Sequence, residues 1–179
     1  MEYKIIHVMG DVFIFDIDGC IMPNIFPVIE EVQNDKEIIN KKIIKKAFYI
    51  SVFPEFVEFY KKNCVESLAV YFLTGRKQKY FRKITESQLK PIENYKNYII
   101  KYYPDKKPHT LKQYFNWKVN SIKQIMNQWA QDFVRFHIYD DLEDLFPFIF
   151  REISPDNRNY KCKMIQGRTD WIYKTNVKT

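Results

Sequence analysis

Long apolar runs are missing from this sequence. None approaches the roughly 18 residues that a membrane-crossing helix needs. The opening MEYKIIHVMGDVFIF sets Glu2, Lys4 and Asp11 among its apolar residues, unlike a signal peptide. Cysteine is scarce: Cys20, Cys64 and Cys162 are odd in number, far apart, and form no CxxC pair. That argues for free thiols in a reducing cytosol rather than a disulfide framework. Internal repeats and low-complexity linkers are absent too. Together these absences set the expectation of a cytoplasmic protein without membrane association.

What is present suits one packed domain spanning 1–179. A chain of 179 residues with 46% apolar and 17% aromatic side chains has ample material for a core, and a domain of this size buries roughly two thirds of its unfolded surface. The net charge of +7 favours acidic partners such as nucleic acid or nucleotides. Short apolar or β-branched runs at Val12–Phe15, Leu68–Leu73, Tyr98–Tyr102, Val134–Tyr139 and Lys161–Ile165 alternate with stretches of helical periodicity. Lys4–Val8 is a further strand candidate, and a helix is expected through about Val28–Ala47. The helical stripes are Phe56, Val57 and Tyr60; Tyr80, Phe81 and Ile84; Ile122, Ile125, Met126 and Trp129; and Leu142, Leu145, Phe146 and Ile149. This alternation predicts a three-layer α/β fold around a mostly parallel sheet of about five strands.

Four polar clusters sit where these strands end. Val12-Phe13-Ile14-Phe15 runs into Asp16-Ile17-Asp18-Gly19, two carboxylates at i and i+2. Strand alternation predicts both on one face, at the carboxyl edge where open α/β sheets bind ligands. Two close carboxylates repel unless a cation or a proton resolves them. An ordinary strand-to-turn junction would also contain Asp and Gly. Tyr71-Phe72-Leu73 leads into Thr74-Gly75-Arg76, whose hydroxyl, opened backbone and guanidinium suit phosphate oxygens, although a helix-capping threonine reads the same way. Lys118 stands at the expected start of the Ile122–Trp129 helix. The Val134–Tyr139 strand ends in Asp140 and Asp141, adjacent acids that could cap a helix opening at Leu142 or serve a hard divalent cation.

The order Asp-x-Asp-Gly, Thr-Gly-Arg, Lys, Asp-Asp resembles the four-motif signature of the haloacid dehalogenase (HAD) superfamily, over about Val12 to Phe150. Within it, Leu73-Thr74-Gly75-Arg76, then Thr110 and Trp117-Lys118, then Ile138-Tyr139-Asp140-Asp141 are similar to the Swiss Army Knife RNA-repair-like group. They are also similar to the phosphatase domain of polynucleotide kinase-phosphatases. A response-regulator receiver also uses Asp, Thr and Lys at strand ends, but there the acidic pair comes first, so the order fails. The resemblance implies a HAD-like Rossmannoid sandwich and a magnesium-dependent phosphatase. It makes Asp16 the nucleophile and Asp18 the acid-base, with a magnesium site from Asp16, Asp18 (through its carbonyl), Asp140 and Asp141. Asp141 is the expected direct ligand, and Asp140 either ligates or orients Lys118. Thr74, Gly75, Arg76 and Lys118 would hold phosphate. Cys20, where relatives often carry threonine, reads as a small packing residue.

Substrate choice in this superfamily follows cap insertions. The first insertion point, at about 21–52, has room for one or two helices, and the 43 residues between Thr74 and Lys118 are largely used by a helix, a strand and a loop. A minimal or absent cap leaves an open site. From Arg76 to Lys118 the chain carries twelve basic residues against three acidic ones, interleaved with nine aromatics. Such a stretch suits single-stranded nucleic acid, or is a solvated helix face over an aromatic core. Lys106, Lys107 and His109 are its candidate substrate contacts. The expected activity is therefore a phosphomonoesterase on a nucleic-acid end or nucleotide. The competing readings are a small-metabolite phosphatase and a catalytically silent nucleic-acid-binding protein. The oligomeric state is left open.

Overall fold

The computed structural model describes residues 9–25, 43–105, 110–129, 133–153 and 160–176. Five strands form one sheet: β1 Met9–Asp16, β2 Ala69–Lys77, β3 Ile99–Tyr103, β4 Phe133–Asp140 and β5 Tyr160–Met164. They are ordered β3-β2-β1-β4-β5 and every neighbouring pair is parallel. The helices are α1 Pro54–Asn63, α2 Gln78–Glu93, α3 Leu111–Gln128, α4 Leu145–Ile153 and α5 Arg168–Asn176. Among the described residues no helix is long and apolar enough to cross a membrane.

Each side of the sheet buries its own core, and β1 shows how. Val12 and Ile14 pack with Tyr71, Leu73, Phe136 and Ile138 beneath α3 and α4. Phe13 and Phe15 point the other way, onto Phe56 and Phe59 of α1 and Trp171 of α5. The alternation of a strand buried on both faces thus divides odd from even residues. The second core is aromatic: the Trp171 ring lies 4.8 Å from both Phe56 and Phe59, and its Nε1 donates to the Cys20 carbonyl at 2.8 Å. Cys20 is fully buried there, as a packing residue.

Several elements differ from the expected spans. β2 runs beyond Leu73 through Lys77, because its pairing with β3 shifts register between Thr74 and Lys77 and then resumes. α3 begins at Leu111, capped by Thr110, whose Oγ1 accepts from the Gln113 amide at 3.3 Å. Lys118 is therefore two turns inside this helix and not in its first turn. Conversely, α4 starts at Leu145 and not at Leu142: the Asp140 carboxylate accepts from the Leu142 amide at 3.0 Å, and the intervening residues turn before the helix opens. α5 is not among the expected helices; its Trp171 enters the core. The Lys4–Val8 candidate lies outside the described residues, and of the Val28–Ala47 candidate only 43–47 is described, as helix.

Candidate active site

The winding reverses between β1 and β4, the place where open α/β sheets leave a crevice at their carboxyl ends. Both strands end there in an acid. β1 and β4 pair Ile14 with Ile138 and Phe15 with Tyr139, so Asp16 and Asp140 follow side by side. Both share the parity of Val12, Ile14, Phe136 and Ile138, which places them on the α3 side of the sheet. Lys118 comes from α3 to meet them. It belongs to the buried stripe Tyr114, Phe115, Lys118, Val119, Ile122, Ile125 and Met126, so helical spacing turns it inward.

The contacts are short and buried. Lys118 Nζ donates to Asp16 Oδ1 at 2.7 Å and also to Asp140 Oδ2, with the lysine only 1% exposed. Burial pushes the Asp16 carboxyl well above its ordinary range; Lys118 opposes this, while Asp140 and Asp141 add to it. Burial alone would lower the Lys118 ammonium, but Asp140 and Asp16 outweigh it and hold the pKa well above the usual value. The Asp141 carboxyl is lifted to about 6 by burial and then by Asp140. One oxygen from each of Asp16, Asp140 and Asp141 lies within 4.8 Å of the others, an oxygen-only donor set that fits a hard divalent cation. Asp140 accepts from Lys118 with one oxygen and from the Leu142 amide with the other, and each oxygen keeps a second lone pair.

Asp16 and Asp18 part company, contrary to the expectation that both share one strand face. β1 stops at Asp16, and the chain turns at once: the Ile21 and Met22 amides return to the Ile17 carbonyl, and Gly19 adopts φ +89°. The Asp18 side chain is carried to Arg76, whose Nε and Nη2 hold its two oxygens at 2.8 and 2.7 Å. Arg76 itself is fully buried, with its guanidinium engaged by Asp18 and α2. Thr74 is also fully buried, and its Oγ1 accepts from the Arg76 amide at 3.1 Å, a bond that leaves the hydroxyl proton uncommitted. Gly75 is buried between them in β2. Lys106, Lys107 and His109 lie outside the described residues.

Tyr114 was missed by sequence reasoning. Its hydroxyl donates to Asp16 Oδ1 at 3.2 Å, and its ring centroid is 4.9 Å from Lys118 Nζ. The signal was its place four residues before Lys118 on the same helical stripe. Gly19 matters as well, because a Cβ there would fall on the Asp141 carboxylate, and φ +89° disfavours side chains in any case. Gly19→Ala should therefore displace Asp141 and cost about 1–3 kcal/mol of backbone strain. The expected result is a lowered melting temperature together with weaker divalent-cation stabilisation. Unchanged cation stabilisation in a thermal-shift titration would remove Asp141 from the ligand set.

No known family profile and no curated relative matches this chain. Solved structures do resemble it. The HAD domain of the effector protein Lem4 from Legionella pneumophila superposes with a TM-score of 0.53 at 14% identity, covering 93% of this chain and 92% of that one. The same domain solved as an inactive mutant gives a TM-score of 0.52 at 12% identity, covering 93% and 91%. With five parallel strands, helices on both faces and an acidic crevice at the strand ends, the chain has a HAD-like, Rossmann-type α/β fold.

Proposed function

We infer that this protein is a magnesium-dependent phosphomonoesterase that works through an aspartyl-phosphate. The observation that carries this reading is the buried cluster in which Lys118 bridges Asp16 and Asp140 while Asp141 stands alongside. Three carboxylates around one ammonium are costly to bury unless a cation and an anionic substrate share the site. Asp16 supplies the attacking oxygen; as its bond to phosphorus forms, the ester oxygen departs with a proton from Asp18. Asp18 then takes a proton from the water that hydrolyses the acyl phosphate, releasing inorganic phosphate and restoring Asp16. Lys118 and the Thr74 hydroxyl hold the transferring oxygens, and Tyr114 fixes the Asp16 carboxylate. Asp16, Asp140 and Asp141, with the Asp18 carbonyl, would hold magnesium, which supplies positive charge against the phosphoryl oxygens.

A nucleic-acid end is the substrate class we favour. A groove of about 850 Å³ lies between α2 and the edge strand β3, starting at Gln78, two residues beyond Arg76. Arg82, Lys83 and Lys90 line it with Tyr98 and Tyr102; Glu86 and Glu93 also face it, but Glu86 is paired with Arg82 at 2.9 Å. Cations for phosphates and rings for bases are the parts that single strands use. The test compares phosphorylated oligonucleotides with small phosphoesters, with magnesium and with chelator. The reading expects chelator-sensitive hydrolysis, stronger on the oligonucleotide, and binding that weakens with salt at a log–log slope of about −0.7 per phosphate contacted. Replacing Lys83 and Lys90 with Glu should weaken that binding and spare small esters. Hydrolysis confined to small esters would favour a metabolite phosphatase, and hydrolysis of neither would leave a silent fold.

A further inference from the structure

The clamp on Asp18 continues well past Arg76. While Nε and Nη2 of Arg76 hold the carboxylate fork to fork, Nη1 donates to Thr85 Oγ1 at 2.9 Å and to Gln88 Oε1 at 2.5 Å, both on α2. Gln88 passes the connection on. Its Nε2 donates to the carbonyls of Ala47 at 2.7 Å and Ile50 at 2.9 Å. Those carbonyls bracket a turn, closed by the Ile50 amide on Ala47 at 3.2 Å, which presents Phe48 and Tyr49 at 68% and 83% exposure. A buried polar chain thus joins Asp18 to the segment inserted between β1 and α1. Ala47 and Ile43 of that segment pack on Phe81 and Ile84 of α2, so the turn and Gln88 share one apolar seat.

We propose that Gln88 is a positioning residue for Asp18, bracing Arg76 and tying the Asp18 clamp to the 47–50 turn. The geometry asks for an amide here: one acceptor meets a guanidinium and both donors meet carbonyls, a set that neither an acid nor an apolar side chain reproduces. A role confined to packing would need none of these bonds. The inference rests on the phosphatase reading, and the leaving group separates positioning from packing. In phosphoryl transfer the Asp16 oxygen–phosphorus bond forms, the phosphorus–ester oxygen bond breaks, and a proton held on the Asp18 lone pair that Arg76 does not occupy moves to the departing oxygen. An alkoxide needs that proton, whereas a nitrophenolate leaves without it. A misplaced Asp18 therefore slows alkyl esters and spares aryl esters.

The experiment measures kcat/KM, which covers the steps through formation of the phospho-enzyme, for β-glycerophosphate and p-nitrophenyl phosphate. Gln88→Met removes all three bonds; Gln88→Glu keeps the oxygen facing Arg76 and removes the two donors to the turn. Both variants should lose about ten- to a hundredfold on β-glycerophosphate, mainly in kcat, and stay within about threefold on p-nitrophenyl phosphate. Equal loss on both esters, or no loss on either, would overturn the proposal. Selective loss in Gln88→Met with an unaffected Gln88→Glu would overturn the link to the turn. If Gln88→Met does not fold, Gln88→Glu decides by the same ratio. Wild-type protein inactive on both esters and on a phosphorylated oligonucleotide would bring down the phosphatase reading itself, and the positioning role with it.

Discussion

Asp16→Asn is expected to abolish turnover, by on the order of 10⁴-fold or more, as loss of a nucleophile does elsewhere. The substitution keeps the size of the side chain and an oxygen for Lys118 and Tyr114, but an amide cannot form the acyl phosphate. It should not unfold the protein. Burial already lifts the Asp16 carboxyl well above its usual range, so removing this charge from beside Asp140 and Asp141 relieves repulsion. The measurement is steady-state phosphate release from a phosphoester, paired with a thermal melt. A folded Asp16→Asn protein that keeps more than a few per cent of its activity would rule out covalent chemistry at this residue. Asp18→Asn should also be impaired, by about 10²–10⁴-fold, because its role is to carry a proton rather than to attack.

Lys118→Met should have the largest effect on stability. Without the ammonium, the buried Asp16 and Asp140 lose their shared cation, and breaking a buried ion pair from one side costs about 3–5 kcal/mol. The loss should depend on pH with a definite sign. Asp16 and Asp141 have carboxyl groups raised above the ordinary 3.8, so the folded state binds their protons more tightly than the unfolded state does. Their contribution is therefore most favourable at low pH and is lost as pH rises through the folded-state values, about 6 for Asp141. Removing Lys118 takes away the positive charge that lowers both. The deficit relative to wild type should then be larger at neutral pH than near pH 5. Urea unfolding at the two pH values checks this, and a deficit independent of pH would contradict the assignment of Lys118 as the counter-charge. Turnover should fall as well, by about 10²–10³-fold, the usual cost of losing a donor to developing negative charge.

Much of the site was legible because it depends on short-range rules. Asp16 and Asp140 each follow a run of apolar residues, and two-residue alternation settles which face each carboxylate takes once the strand is recognised. The parallel sheet was legible from the alternation of strand and helix candidates along the chain, since parallel neighbours need crossover connections between them. Lys118 was recognised as a site residue but put at the wrong depth of its helix. Tyr114 and Phe115 extend the apolar stripe toward Thr110, so the helix starts earlier than its most regular portion suggests. The Leu142 start failed in the opposite direction, because a side-chain bond from Asp140 competes with the helix for the Leu142 amide.

By itself the sequence determined the order of the strands and the acids at their ends, since spacing and hydropathy along the chain encode these directly, while Lys118 entered through the resemblance of the motif order. Only the tertiary structure decided how the polar groups are shared out. Asp18 and Arg76 are 58 residues apart in the chain, and they meet because the backbone turns immediately after Asp16 and because β2 continues past its register shift. Gln88 and Thr85 read as ordinary polar positions on a surface helix until Arg76 lies against them. A buried guanidinium takes as partners whichever groups the packed fold brings within reach, and residue spacing along one chain does not contain that information.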